Sequence, residues 1–249
     1  MSNHFAVRGV AERYARGRPY VHDAVAQAIF RHTGPVRRAL DIGAGTGLST
    51  RALLRGAEDI VGVDPSVEML GAAFKHPRVR YVAGAGECVP LSSSSAELVT
   101  LSAAFHWCNH DMLFRELERV VRAGGWVAIY DVELTAILES PSLVGWLRSD
   151  YWPRLPRCSH FGAFDPSATP HPWFAMIADT TTQVDVPMML DEAVSFVLSQ
   201  ASSINAVATG AASLETLERR LRDEFQTAFP RRLAATARFD VPSFLLRRV

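Results

Sequence analysis

The sequence predicts an α/β fold with a doubly wound, mostly parallel sheet, and three observations carry that expectation. From Val36 to Asp131 short apolar runs alternate with amphipathic segments, the rhythm of βαβ units. The first run, residues 39–42, leads directly into the glycine-rich turn Gly43-Ala44-Gly45-Thr46-Gly47. The second ends on Asp64, 21 residues beyond Gly43. That is close to the spacing of about 20 at which an acidic side chain grips ribose hydroxyls.

Taken in order, the strand candidates are residues 39–42, 60–63, 79–83, 98–101 and 127–130, with helices beginning near Gly47, Val67 and Asp111. Ser66 follows Pro65 and precedes the segment through Glu68, Met69 and Leu70, which suits an N-cap. Gly124-Gly125 is expected to stop the helix through Leu117 and Val121. After Glu133 the rhythm changes. Residues 140–175 mix Trp, Pro, His and Ser without a clear period, and read as an insertion over the sheet. Regular pattern returns with a strand at 183–186, helices near 191–198 and 214–225, and one or two closing strands over 237–249. Ser92 to Ser95 form a short polar loop.

A chain of 249 residues, 48% hydrophobic, supports one core carrying an insertion. The expectation is therefore a single domain over 1–249, with a ligand-binding half at 36–135 and segments 1–35 and 136–180 covering a substrate. Lys plus Arg balance Asp plus Glu at 26 each, so no global charge draws the chain to nucleic acid or anionic lipid. Arg8, Glu12, Arg13, Arg16 and Arg18 interrupt every early apolar run, so no secretory signal is expected, and no run reaches the roughly 18 apolar residues of a membrane span. Cys88, Cys108 and Cys158 are widely spaced and lack a C-x-x-C pair, which suggests neither a disulfide framework nor a metal site and fits a cytoplasmic protein.

The glycine spacing discriminates between nucleotides. A dinucleotide fingerprint reads G-x-G-x-x-G with pyrophosphate at the helix N-terminus. Here the third glycine comes one position early, and Asp41 stands two residues before the first. A carboxylate there opposes an incoming phosphate and favours an ammonium or sulfonium. S-adenosyl-L-methionine carries both and has no phosphate.

Residues 41–47 with Asp64 resemble the first two motifs of class I S-adenosylmethionine-dependent methyltransferases. Ala85-Gly86-Glu87-Cys88-Val89-Pro90-Leu91 is similar to their third-strand motif. Phe105-His106-Trp107, then Glu116-Leu117-Glu118-Arg119-Val120 and Arg122-Ala123-Gly124-Gly125-Trp126, resemble the fourth-to-fifth strand region. This order is similar to the small-molecule group called type 11. Within it Tyr14, Arg18-Pro19-Tyr20, His106-Trp107 and Ser202-Ser203 resemble trans-aconitate methyltransferase relatives. The resemblance implies a seven-stranded Rossmann-like sheet and a helical substrate cap. It implies cofactor contacts from Asp41, Gly43, Ala44, Gly45, Gly47, Asp64, Pro65, Met69, Ala85, Gly86, Glu87 and Ser102. It further implies a small-molecule acceptor held near Tyr14, Arg18, Tyr20 and Trp107, in a monomer or homodimer with neither nucleic-acid nor membrane partner. Three positions depart from the pattern: Glu97 where Asp is frequent, Gly86 where Ala is frequent, and Ala123 where Pro precedes the two glycines.

Each residue also has a plainer reading. The glycines could form a turn without a ligand, Asp64 could cap the helix at Val67, and Asp41 could pair with Arg38. Met69 could touch an adenine face or fill the core, and Glu87 could reach an amino group or a helix terminus. His106 follows the fourth strand, where open sheets bind ligands; it is the candidate general base, or else shapes the pocket. Trp107 reads as a wall, and Cys108 has no support as a nucleophile. Tyr14, Arg18 and Tyr20 could be a solvated helix face. Trp146, Tyr151, Trp152, Phe161, Trp173 and Phe174, with Arg148, Arg154 and Arg157, could line an acceptor pocket or a subunit interface. In-line transfer to a carboxylate needs no base, whereas transfer to a hydroxyl does. The rival readings are a cofactor-binding protein without transfer, a nicotinamide-dependent oxidoreductase disfavoured by Asp41, and a nucleic-acid methyltransferase disfavoured by the neutral charge.

Overall fold

The computed structural model describes residues 9–157, 162–165, 172–226, 229 and 234–249. Arg8, Cys158 and Phe161, which entered the sequence reading, lie outside them. The helices are α1 Val10–Gly17, α2 His22–Thr33, α3 Leu48–Ala52, α4 Val67–Gly71, α5 His110–Val120, α6 Pro141–Trp146, α7 Leu190–Leu198, α8 Ala201–Ala208 and α9 Leu214–Phe225. The strands are β1 Val36–Ile42, β2 Ala57–Asp64, β3 Val79–Ala83, β4 Ala96–Ser102, β5 Val121–Tyr130, β6 Glu133–Ile137, β7 Phe174–Met188 and β8 Ala235–Arg248. The described strands number eight, one beyond the seven expected: β7 contains the strand expected at 183–186, whereas β6, which pairs with β8, has no counterpart among the strand candidates.

The chain divides into two compact units. The larger comprises Val21–Val132, His160–Thr182 and Val241–Val249. Its strands run β3-β2-β1-β4-β5, all parallel, and the last part of β8 closes antiparallel on β5. Strand order reverses between β1 and β4, which makes their carboxyl ends the switch point where open sheets receive ligands. Side chains alternate across the strands. Leu40, Ile42, Val99, Leu101, Val127 and Ile129 share one core cluster with Leu113, Phe114 and Leu117 of α5. Asp41 and Thr100 are paired across β1 and β4 and bond to each other, and Asp41 also bonds to α3.

The glycine pair at 124–125 does not stop α5, contrary to expectation. The helix ends at Val120, and Val121 is already extended at φ −74°, ψ 132° and paired with Ala96. The next pair is Leu98 with Trp126, so residues 122–125 form a bulge, with Gly124 at φ 70°. The fifth strand thus starts six residues earlier than expected.

The smaller unit comprises Met1–Tyr20, Glu133–Ser159 and Gln183–Asp240. In it α1 packs on α7 so closely that a Cβ on Gly17 would lie 2.4 Å from the Phe196 nitrogen. The insertion is more regular than its composition suggests: Pro141 sits in the first turn of α6, and a π-helical turn follows over Leu147–Tyr151. Tyr151 is fully buried, its hydroxyl 3.2 Å from Ser203 Oγ. Helix α8, absent from the sequence reading, buries Ser203 and Asn205 beside Ile204 and Ala206, so polarity hides its inward face.

Candidate active site

The glycine turn joins β1 to α3. Gly43 and Ala44 donate their backbone N–H groups to the Val63 carbonyl at 2.8 and 3.0 Å, which ties the turn to β2. Gly43 adopts φ 73°, and a Cβ there would lie 2.4 Å from that of Ala104. Gly47, at φ 82°, caps α3, and a Cβ on it would meet the Tyr81 hydroxyl at 2.2 Å. Both positions therefore demand glycine for conformation and for space.

Asp64, half-buried at the end of β2, organises the next layer. Its Oδ2 accepts the Gly45 N–H at 2.9 Å and its Oδ1 accepts the Ser66 N–H at 2.8 Å. Burial pushes its carboxyl above the usual range, and these two bonds oppose that shift. Ser66 caps α4 as expected, accepting the Met69 N–H at 3.2 Å. Met69 is buried, with its methyl 3.3 Å from where a Gly45 Cβ would stand. Asp64 both caps α4 and braces the glycine turn. A carboxylate has about four acceptor positions, so two remain for a ligand.

Asp41 sits under the turn. It is fully buried; Oδ2 accepts from Ser49 and Thr50 hydroxyls at 2.6 Å each, and Oδ1 from Thr100 at 2.7 Å. Burial raises its pKa, and the three hydroxyls partly offset this. A ligand on the turn would feel its field without touching it. Arg38, the alternative partner, pairs with Asp59 instead at 2.7 Å.

Beyond β3, Ala85 is exposed and Gly86 buried. A Cβ on Gly86 would stand 2.9 Å from Ile42 Cγ2 and 3.1 Å from Cys108 Sγ, a physical reason for glycine where alanine is frequent. Glu87 accepts the Asn109 N–H at 2.7 Å, the helix-terminus alternative, just before α5. Cys108 is buried and its thiol is pushed up to about 12, chiefly by burial and then by Glu87, so it is not a nucleophile at neutral pH. Pro65 is exposed beside Asp64, Ala44 is buried in the turn, and half-buried Ser102 ends β4 opposite Tyr130.

Past Ser102, Ala103 takes the left-handed φ 50° and donates its N–H to the Tyr130 carbonyl at 2.9 Å. His106 and Trp107 follow, half-buried, with ring centroids 5.1 Å apart. His106 Nδ1 lies 3.6 Å from Asp131 Oδ2. His22 Nδ1 and the Tyr130 hydroxyl, both buried, are 3.1 Å apart. Tyr14, Arg18 and Tyr20 belong to the smaller unit. There the Arg18 guanidinium lies 4.4 Å from the Tyr14 ring and donates to the Ser199 carbonyl at 3.1 Å.

The sequence reading missed Asp131, the hydroxyl trio and Thr46. Asp131 carried a legible signal, since it directly follows a strand's carboxyl end. Thr46 matters for the fit of a nucleoside ligand: its hydroxyl is buried without a partner among the described residues, in the turn that Asp64 braces at Gly45. Buried hydroxyls ordinarily have partners. An orphan donor and a half-free carboxylate on one turn fit a ligand rich in hydroxyls and amines. Among the described residues no cluster of metal-ligating side chains occurs, and no helix is long and apolar enough to cross a membrane.

The family model for a methyltransferase domain matches residues 40–129, the span from β1 to β5 that carries this turn. Residues 40–129 are therefore similar to a methyltransferase domain. An uncharacterized methyltransferase of Mycobacterium bovis is 38% identical over 116 residues, 45% of this chain and 46% of that protein. A protein of Saccharomyces cerevisiae assigned as an S-adenosylmethionine-dependent methyltransferase is 30% identical over 107 residues, 40% of this chain and 37% of that protein. The chain spans about half the length of the curated relatives it matches. A solved chain from Anaeromyxobacter dehalogenans, assigned as a type II methyltransferase, superposes with a TM-score of 0.69 at 20% identity, covering 89% of this chain and 95% of its own. That likeness establishes the Rossmann-like methyltransferase fold. The matched segment ends at residue 129, before Tyr130 and Asp131, so the segment after β5 lies outside the shared model.

Proposed function

We propose that this protein transfers a methyl group from S-adenosylmethionine to a small-molecule acceptor by in-line displacement. The observation that carries the reading is Asp64, which braces the glycine turn through Gly45 and keeps acceptor positions open for two ribose hydroxyls. Thr46 and the turn's backbone would hold the amino-acid end of the cofactor, while Met69, Ala85 and Gly86 would border the adenine. Once bound, the cofactor supplies an activated methyl on a sulfonium. The chain's share is to align the acceptor, exclude water and manage one proton. His106 is the group for that proton, because it follows β4 at the switch point and carries a carboxylate on its Nδ1 side.

Calorimetry with S-adenosylhomocysteine, with NAD as control, tests the methyl-transfer reading. Binding of the thioether alone supports it, and binding of neither ligand by folded protein refutes it. A ligand specific for the native state also raises Tm, an independent check.

A further inference from the structure

The end of β5 carries a second acid that the motifs do not include. Asp131 is fixed through its backbone and one carboxylate oxygen: its N–H donates to the Pro242 carbonyl at 3.1 Å, and its Oδ1 accepts the Val132 N–H at 2.8 Å. The other oxygen, Oδ2, is the one 3.6 Å from His106 Nδ1. The two loops are tied at their roots, because Ala103 bonds to the carbonyl of Tyr130, the residue before Asp131. A left-handed alanine is held only where its surroundings over-determine it. The His106 side chain retains 23% exposure and that of Asp131 42%.

A carboxylate at Nδ1 favours the neutral tautomer protonated there, in which Nε2 is the basic nitrogen. The 3.6 Å separation is longer than a hydrogen bond, and such contacts commonly tighten when a substrate binds. We propose that Asp131 is the positioning residue of His106, and that the pair serves an acceptor whose oxygen must shed a proton, an alcohol or phenol in place of a carboxylate. This rests on the reading of His106 as the base of a methyl transfer. The acceptor proton passes to His106 Nε2 as an oxygen lone pair forms the new O–C bond. The C–S bond breaks with its electron pair going to sulfur, giving the neutral thioether, and the imidazolium later releases its proton to solvent. A carboxylate acceptor is already ionised at neutral pH and gives this pair nothing to do.

The experiment has two arms. NMR titration of His106 in the ligand-free full chain compares the wild type with Asp131→Asn and Asp131→Glu. The expected result is an Nδ1–H tautomer in the wild type and a pKa lower by about half a unit or more in the Asn variant, since the carboxylate stabilises the imidazolium. The Glu variant should recover part of that shift. An unchanged tautomer and pKa in folded Asp131→Asn would overturn the positioning role. In the second arm, S-adenosylhomocysteine release is measured with a panel of phenols, alcohols and carboxylic acids. Turnover of a phenol or alcohol that falls about tenfold or more in kcat with Asp131→Asn, at little change in KM, supports the proposal. If Asp131→Asn has full activity while His106→Asn has none, the positioning role falls and the base remains. If only carboxylic acids react, and His106→Asn is fully active, the acceptor class and the base fall together. If the wild type does not bind S-adenosylhomocysteine, the methyl-transfer reading itself fails, a result the NMR arm does not produce.

Discussion

Replacing Asp64 with Ala separates the two tasks assigned to this carboxylate. It removes the bonds to the Gly45 and Ser66 N–H groups at 2.9 and 2.8 Å, both charge-assisted. Such bonds contribute about 1.5–3 kcal/mol each, and both donors belong to buried residues. Against this stands the carboxylate's own desolvation, visible in its raised pKa, which the substitution relieves. The net loss of stability works out at about 1–3 kcal/mol, which for a chain of this size lowers Tm by roughly 2–12 °C. Cofactor affinity should fall further than stability, because two ribose hydroxyls lose a charged acceptor, about a hundredfold or more in Kd. Urea unfolding measures the first quantity, and calorimetry with S-adenosylhomocysteine, on protein shown to be folded, measures the second. A folded variant with unchanged Kd would refute the ribose assignment. Unchanged stability with lost affinity would instead refute the bracing role.

Three further outcomes test the scaffold. Gly86→Ala should destabilise by about 1–3 kcal/mol through overpacking, and adding Cys108→Ala should recover part of that loss in urea melts; simple additivity would refute the steric account. Thr100→Val removes the hydroxyl bond to Asp41 Oδ1, costs about 1–3 kcal/mol, and raises the Asp41 pKa further. A raised carboxyl pKa gives stability that is full below the unfolded value near 4 and is lost as pH rises through the folded one. The deficit of Thr100→Val should therefore be larger at pH 8 than at pH 4, and a pH-independent deficit would contradict it. Glu116 is held below the usual range by its bond to Arg119, so its contribution is present above about pH 4.3 and fades as pH falls through the lowered value. With Arg119 35% exposed the effect is below about 1 kcal/mol, and Glu116→Gln should flatten the acid limb of the stability curve.

The parts of this molecule legible in the sequence are those written locally. Strand β3 and helix α9 begin and end where the pattern places them, because each is bounded by turn chemistry within a few residues. Asp64 was legible because the residues it braces lie 19 and 2 positions away along one βαβ unit. What escaped is long-range. Thr100 meets Asp41 across 59 residues, and only the parallel pairing of β1 with β4 brings them together. The early end of α5 depends on Val121 finding Ala96 on β4, which overrides the glycines three and four positions on. Asp131 and His106 meet because two strand ends are neighbours, a fact of topology that no single segment contains.

The three hydroxyls on Asp41 have a consequence for how a ligand arrives. One buried charge holds β1, α3 and β4 together directly beneath the glycine turn. Opening the turn would strip that charge of donors before any ligand contact could compensate. The receiving surface is therefore set in advance, selecting among ligands by contour with little ordering left to do on binding. Free and occupied forms of the turn should coincide, and discrimination between nucleotides should appear at the first encounter.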